Sequence, residues 1–193
     1  MLNNGKIIKN LLEKGIKTER LCLRKFSLGD VADMFEYTSD KDNWNYIARD
    51  AHTDISQAEN FICENIEKYD NPSDISWGIE LSNSGDPDIG KLIGSMRIYD
   101  IDFEADTCMI SYIINATFSG KGYMTEAIQA VIRVIFHTLK IGEIFADIMQ
   151  GNRRSEKVAQ RCGMVKILDH MATIEIQGQS INMYRYSIKR NFT

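Results

Sequence analysis

A glycine-rich segment in the middle of this sequence separates an apolar stretch from an amphipathic helical pattern. It reads Ser119-Gly-Lys-Gly-Tyr-Met-Thr-Glu-Ala127 and follows the apolar run 107–114. The first turn of a helix leaves backbone N–H groups without partners and carries the positive end of the helix dipole, and glycine lets an anion approach the backbone closely. The segment therefore predicts a turn that binds phosphate.

Two familiar phosphate-binding turns fit these residues poorly. A dinucleotide-binding fingerprint needs a third glycine where Thr125 stands, and Glu143, at the right distance for a ribose contact, precedes its strand instead of following it. A nucleoside-triphosphate loop needs a hydroxyl for magnesium directly after its lysine, whereas Gly122 follows Lys121. A nicotinamide-dependent oxidoreductase stays open as the weaker alternative.

Three segments, in this order along the chain, resemble the acetyl-CoA-binding motifs of the GNAT superfamily of N-acetyltransferases. They are Ile110-Ser-Tyr-Ile-Ile114, Ser119–Ala127 and Asn152–Met164. The sequence is most similar to the branch that acetylates the N-termini of ribosomal proteins and, in relatives, antibiotics or polyamines, and the similarity extends from about Thr18 to Tyr186. It departs from the superfamily's six-residue phosphate turn at Ser119, where Gln or Arg is usual, and at Met124, where Gly or Ala is usual. We expect the bulk of Met124 beside the pyrophosphate to alter cofactor affinity.

The resemblance implies acetyl-CoA as co-substrate and no metal. The pyrophosphate would be held by the backbone amides of Gly120, Lys121, Gly122, Tyr123, Met124 and Thr125. The pantetheine arm would pair, like an added strand, with the backbone of Ile113, Ile114 and Asn115. Asn152 would hydrogen-bond the arm from the other side, and Lys157 would reach toward a cofactor phosphate. A helix cap for Asn152 and a solvated side chain for Lys157 are the alternatives.

Acetyl transfer to an amine needs a neutral nitrogen, a stabilised oxyanion and a proton for the departing thiolate. The resemblance implies that Ser155 assists the thiolate by a hydrogen bond or a proton relay; alternatively, it only completes the first turn of its helix. A backbone N–H near Ile113 is expected to receive the oxyanion. Candidate bases are Glu80, Glu104 and Glu175. Glu175 lies near the position of a base in the branch, but a shift of one residue would turn its side chain to the opposite face of a strand.

The acceptor is expected to be a primary amine, either a peptide N-terminus or a small molecule. An α-amino group with a pKa near 7.8 is neutral in roughly one molecule in seven at pH 7, whereas a lysine costs about 3.5 kcal/mol more to deprotonate. An α-amine is therefore the easier substrate where no strong base is evident. Trp44 and Tyr46 lie in a segment that borders the acceptor in the family, although a local hydrophobic cluster explains them equally well.

The elements that must position these residues follow from hydrophobic periodicity. The patterns predict a mixed α+β fold with a central twisted, mostly antiparallel sheet of about seven strands, flanked by about four helices. Residues 107–149 form a strand–helix–strand unit whose two strands should be parallel. The order of these elements agrees with a GNAT-like fold. Residues 1–193 are interpreted as one domain, with 1–17 as an N-terminal helical extension.

Composition narrows the class of protein further. A formal net charge of −4 argues against a nucleic-acid partner, and no apolar run approaches the roughly 18 residues of a membrane span. The four cysteines are widely spaced, which is typical of free thiols in a cytoplasmic protein. A homodimer is left open. The sequence thus favours a cytoplasmic acetyl-CoA-dependent N-acetyltransferase that transfers directly to the amine; an acyl-CoA-binding regulator without activity is the second alternative.

Overall fold

Eight strands form a single sheet in the computed structural model, which describes residues 4–41, 46–47, 50–71, 73–83, 85–176 and 179–191. The strands are β1 (Ile16–Lys17), β2 (Leu21–Arg24), β3 (Asp74–Leu81), β4 (Leu92–Asp102), β5 (Thr107–Ile114), β6 (Glu143–Met149), β7 (Val165–Ile176) and β8 (Gln179–Lys189). Their order across the sheet is β1-β2-β3-β4-β5-β6-β8-β7. All neighbours are antiparallel except β5 and β6, which are parallel.

Five α-helices flank the sheet in the described part of the chain: α1 (Asn4–Lys14), α2 (Val31–Thr38), α3 (Ile55–Glu67), α4 (Tyr123–Val134) and α5 (Arg153–Arg161). Short 3-10 turns occupy Leu28–Asp30, Lys68–Asp70 and Ala116–Phe118. A π-helical turn over Ile135–Leu139 extends α4, and Lys140 ends it in the left-handed region at φ 64°. None of the described helices is long and apolar enough to cross a bilayer.

The hydrophobic core lies on both faces of the sheet. On one face, α1, α4 and α5 pack against a large cluster that includes alternate residues of β3, namely Ile75, Trp77, Ile79 and Leu81. A Cβ at Gly78 would instead meet Leu92 and Phe26, which belong to a second cluster with α2 and α3. Since successive side chains of a strand point to opposite faces, the two clusters cover opposite faces of the sheet.

The predicted fold class is confirmed, with two differences in detail. The sheet has an eighth strand because the region predicted as a helical extension contains β1 after α1. The predicted strands 164–171 and 173–176 form the one strand β7, whose pairing with β8 is irregular between Lys166 and Met171. Both differences concern short segments, where periodicity carries little information.

Charged side chains attach α2 to the sheet. The Arg24 guanidinium donates to both carboxylate oxygens of Asp30 at 2.8 Å and also bonds Glu80, and Asp30 is only 4% exposed. Burial disfavours the charged form of Asp30, but hydrogen bonds from Arg24 and Ser27 outweigh it and hold the carboxyl pKa below its ordinary value. At the other side of α2, the Asp33 carboxylate accepts from the Leu92 backbone N–H at 2.8 Å.

Candidate active site

A gap opens between β5 and β6 near the middle of the sheet. The two strands pair only from Thr107–Glu143 to Met109–Phe145. Beyond Met109, β5 continues to pair with β4 as far as Ile114, but within the described residues it has no partner on its β6 side. A peptide-like chain entering this gap would therefore meet unpaired backbone groups of a strand, as in β-strand addition.

The hydrogen-bond alternation of β5 decides which backbone groups face the gap. The Asn115 N–H donates to the Ile93 carbonyl at 2.8 Å, so this antiparallel pair is a hydrogen-bonded one. Because hydrogen-bonded and non-bonded pairs alternate, Ile113 also directs its N–H and C=O toward β4, while Ile114 directs its own toward the gap. Of the three residues expected to pair with the pantetheine arm, Ile114 therefore directs its backbone groups to the gap, whereas the Asn115 N–H is used by β4. Their role in cofactor binding stays a prediction.

The predicted phosphate turn follows β5 directly and opens α4. Gly120 and Gly122 have φ of 80° and 85°, a region that other residues rarely adopt. The first hydrogen bond of the helix runs from Glu126 N–H to the Gly122 carbonyl at 3.0 Å. Within the described residues, none of the six amides from Gly120 to Thr125 donates to a protein acceptor. Consecutive unpartnered N–H groups at a helix N-terminus can bind an anion, so the prediction of a phosphate turn stays open.

An arginine from the first part of the chain holds this turn in place. Arg20 donates through Nε to Glu126 at 2.7 Å and through a terminal nitrogen to the Lys121 carbonyl at 3.1 Å, and its guanidinium lies 4.5 Å from the centre of the Tyr123 ring. Thr18 donates to the same glutamate at 2.6 Å. Sequence analysis missed Arg20 because about a hundred residues separate it from the turn.

The same contacts keep Glu126 ionised. Burial by itself raises the pKa of its carboxyl, but the hydrogen bonds from Thr18 and Arg20 lower it by more, so the net pKa lies below the ordinary value. A carboxylate in the first turn also interacts favourably with the helix dipole. The contacts of Thr18 and Arg20 therefore hold the turn without using the amides from Gly120 to Thr125.

Met124 does not lie beside the anion site. Its side chain is 5% exposed and belongs to the large core cluster, so only its backbone N–H remains at the turn. An effect of its bulk on cofactor affinity therefore stays a prediction. The reason for the buried position is helical geometry: one turn of α4 points this side chain inward toward the sheet.

The N-terminus of α5 lies at the end of β6 and brings Asn152 and Ser155 to the gap. The Asn152 side-chain oxygen accepts from the Ser155 backbone N–H at 3.1 Å, which is an N-cap bond. The predicted helix cap is thus present. The Asn152 side chain caps the first turn of α5, and the Ser155 side chain hydrogen-bonds the Tyr112 hydroxyl.

Other predicted site residues lie farther from this centre. Lys157 is exposed on α5, and Glu175 is exposed on β7, which β8 and β6 separate from the gap. Glu80 is bonded to Arg24, and Glu104 lies in the turn before Thr107, at the paired end of β5. No contact among the described residues joins Glu175 to Ser155. The assignment of a base to Glu175 stays a prediction.

A small apolar cavity lies on the opposite face of the sheet from α4, beside Ile113. It has a volume of about 30 Å³, and its walls are formed by Met34, Tyr37, Thr38, His52, Phe61, Ser95 and Ile113. Within the described residues no carboxylate or ammonium lines it.

Tyr46 lies close to the gap, whereas Trp44 falls outside the described residues. A Cβ built on Gly151 would be 3.9 Å from the Tyr46 hydroxyl, which places the ring next to the residue that precedes Asn152. Tyr46 is 44% exposed. Its expected role at the border of the acceptor site stays a prediction. No group of three or more potential metal ligands occurs among the described residues.

The gap, the glycine turn and the α5 N-terminus all lie within the part of the chain that matches a known family. Residues 20–165 match the acetyltransferase (GNAT) domain. The chain belongs to the GNAT family. It is accordingly an N-acetyltransferase, which transfers an acetyl group to an amine. Membership also decides against the nicotinamide-dependent oxidoreductase.

Individual GNAT relatives agree with this assignment. The chain is 31% identical over 149 residues to the uncharacterized N-acetyltransferase YnaD of Bacillus subtilis, covering 77% of this chain and 81% of the relative. It is 36% identical over 84 residues, 42% of each chain, to the ribosomal protein uS5-alanine N-acetyltransferase of Escherichia coli. A GNAT acetyltransferase structure from Bacillus anthracis superposes with a TM-score of 0.78 at 27% identity, covering 91% of this chain and 98% of that one.

A further solved structure has the same fold and contains the donor. The microcin C7 self-immunity acetyltransferase MccE, in complex with acetyl-CoA and AMP, gives a TM-score of 0.76 at 20% identity, covering 90% of this chain and 94% of that one. At this identity the likeness concerns the fold.

Proposed function

We propose that this GNAT protein uses acetyl-CoA to acetylate an α-amino group, with the glycine turn holding the donor. The observation that supports the proposal most directly is the row of six unpartnered amides from Gly120 to Thr125, next to the gap beside β5. A pyrophosphate on the turn and an amide-containing pantetheine arm along Ile114 would satisfy both sets of groups. Asn152 would meet the arm from the α5 side.

The reaction then needs little side-chain chemistry. The neutral amine attacks the thioester carbonyl, the C–N bond forms, and the negative charge develops on the carbonyl oxygen, where the N–H of Ile114 would stabilise it. The C–S bond breaks next, and the departing thiolate receives a hydrogen bond or a proton relayed through Ser155. The amine loses its proton to solvent or to a base that has yet to be assigned.

The cavity beside Ile113 favours an acceptor with a small, uncharged group next to the amine. A polyamine carries further ammonium groups, and burying one of these in an apolar cavity would be costly. The α-amine of a small N-terminal residue has no such charge and is easier to deprotonate than a lysine. A relative named for a ribosomal protein alanine N-acetyltransferase agrees with this class of acceptor.

We also propose a cytoplasmic location. All four cysteines are unpaired, and two of them, Cys108 and Cys162, are buried. Free thiols are typical of a reducing compartment.

The test is to incubate the protein with acetyl-CoA, a pool of peptides with different N-terminal residues, and cellular metabolites, and to identify the acetylated products by mass spectrometry. We expect acetylation at the α-amine of peptides that begin with small uncharged residues. Release of CoA with polyamines or aminoglycosides alone would contradict the proposed acceptor. Tight acetyl-CoA binding with no acetylated product in any pool would instead indicate the regulator without activity.

Replacing Ser155 tests its proposed role of donating a hydrogen bond or relaying a proton to the departing thiolate. In Ser155→Ala we expect kcat to fall about tenfold, the effect of one hydrogen bond to a charged group, with unchanged acetyl-CoA affinity. Thermal unfolding should be unaffected, because α5 is capped by the Asn152 side chain and not by the serine hydroxyl. As the contrasting variant, Asn152→Ala should lose about 1 kcal/mol of stability. An unchanged kcat in Ser155→Ala would remove Ser155 from the mechanism.

A further inference from the structure

One tyrosine side chain crosses the gap between β5 and α5. Tyr112 lies three residues beyond Met109, the last residue of β5 that pairs with β6. Its hydroxyl donates to the backbone carbonyl of Ser155 at 3.2 Å. The bond joins a strand that has separated from its neighbour to the first turn of the helix that follows that neighbour. This hydrogen bond therefore connects β5 and α5 across the gap.

The surroundings of Tyr112 keep this hydrogen bond in place. The ring is half-buried against the large core cluster, and burial raises the pKa of its hydroxyl well above the ordinary value, so the hydroxyl stays protonated and keeps donating at any ordinary pH. Next to Ser155, Glu156 accepts a hydrogen bond at 3.0 Å from the hydroxyl of Tyr186 on β8. The first turn of α5 is thus held from two strands on either side of β6.

This hydrogen bond holds the backbone of Ser155, the residue proposed to assist the departing thiolate. Asn152 fixes the Ser155 N–H, and Tyr112 fixes its carbonyl, so both ends of this residue's backbone are held, and the Tyr112 hydroxyl also contacts the Ser155 side chain. A hydroxyl can stabilise a thiolate only within a few tenths of an ångström of the correct distance. Residues that hold the backbone of Ser155 therefore set the strength of its hydrogen bond to the thiolate.

We infer that Tyr112 is a positioning residue, which acts through Ser155 by fixing the distance between β5 and α5 at the thioester. The inference rests on the proposed function, because it concerns the bond from Ser155 to the departing thiolate. It assigns the Tyr112 hydroxyl no contact with the donor or the acceptor.

The variant Tyr112→Phe tests this role, since it keeps the ring in the core and removes only the hydroxyl. We expect kcat to fall about fivefold, the equivalent of one neutral hydrogen bond, with little change in the KM for acetyl-CoA. Added to Ser155→Ala, the substitution should cause no further loss, because two residues that act through one bond are not additive. The matched control is Tyr69→Phe, which also loses one hydrogen bond to a backbone group, from the Phe26 N–H at 2.7 Å, and should leave kcat unchanged.

Hydrogen exchange supplies a readout that does not depend on turnover. In Tyr112→Phe the amides in the first two turns of α5 should exchange several-fold faster than in the wild type, while those of α4 should not change. An unchanged kcat, losses that multiply in the double variant, or unchanged exchange in α5 would each overturn the inference. A wild-type protein with no turnover on any amine would refute the proposed function, and the exchange measurement would still decide whether Tyr112 holds α5.

Discussion

Replacing Gly122 with valine is expected to raise the dissociation constant for acetyl-CoA about 100-fold or more. Gly122 is the N-cap of α4 and has a φ of 85°, which costs a residue with a Cβ roughly 1 to 2 kcal/mol. Its Cβ would also lie 3.4 Å from a terminal nitrogen of Arg20, the residue that holds the turn. Relief of the strain would rotate the neighbouring amides away from the anion. Isothermal titration with acetyl-CoA measures the effect.

Gly163 provides the matched control for backbone strain. It has the same φ of 85°, and its Cβ would likewise meet one side-chain atom at 3.4 Å, in this case the Ile188 Cδ1. It follows α5 and takes no part in the glycine turn. Gly163→Val should therefore lose similar stability but bind acetyl-CoA normally. Equal affinity losses in the two variants, or normal affinity in Gly122→Val, would show that the turn does not bind the pyrophosphate.

Replacing Arg24 with methionine is expected to destabilise the protein by about 3 kcal/mol. The substitution keeps much of the aliphatic chain but leaves the Asp30 carboxylate, which is 4% exposed, without its cation. Removing one partner of a buried ion pair is costly because the other charge stays buried. Urea unfolding at neutral pH measures the change. Since this pair attaches α2, which walls the cavity beside Ile113, acceptor affinity should also fall.

The same substitution at Arg97 is the control, because it breaks an equally well-aligned but more exposed pair. Arg97 donates to both oxygens of Asp74 at 2.6 Å, and its side chain is 42% exposed. Solvent screens such a pair, and Arg97→Met should cost less than about 1 kcal/mol. A loss at Arg97 as large as that at Arg24 would contradict the role of burial.

The pH dependence of the Arg24 effect follows from the lowered pKa of Asp30. A carboxyl whose pKa is lower in the folded state contributes stability above its unfolded pKa of about 3.9, and this contribution is lost as the pH falls through the folded value. The stability difference between wild type and Arg24→Met should therefore be constant from about pH 7 to 5. It should shrink as the pH falls below the ordinary carboxyl pKa of about 3.9, because a protonated Asp30 no longer needs the cation. A difference that persists undiminished in acid would exclude the ion pair as its cause.

Local sequence patterns were sufficient for the fold class and the family. The apolar run 107–114 and the amphipathic pattern after Gly122 each extend over several residues with one period, and both elements lie where they were predicted. Short or irregular segments were less predictable. The two-residue strand β1 depends on its pairing with β2, and the continuity of β7 depends on β8.

The parts of the candidate site that depend on backbone conformation could be predicted from the sequence. The parts that depend on where a side chain or a backbone N–H points could not. Gly120 and Gly122 identify the turn from their residue type, because few other residues adopt positive φ. The sequence does not tell that Met124 points into the core or that the Asn115 N–H is used by β4. Such directions follow from the packing of α4 and from the register of β5.

The mixed sheet, its parallel crossover and the place of the glycine turn can be predicted from the sequence, since backbone conformation and hydrophobic period are local properties. Only the tertiary structure decided that β5 and β6 separate after Met109, that Arg20 holds the turn, and that Tyr112 reaches Ser155. Each of these contacts joins residues at least 30 positions apart. The distances between these residues depend on how all the intervening elements pack, and no local pattern along the chain encodes that packing.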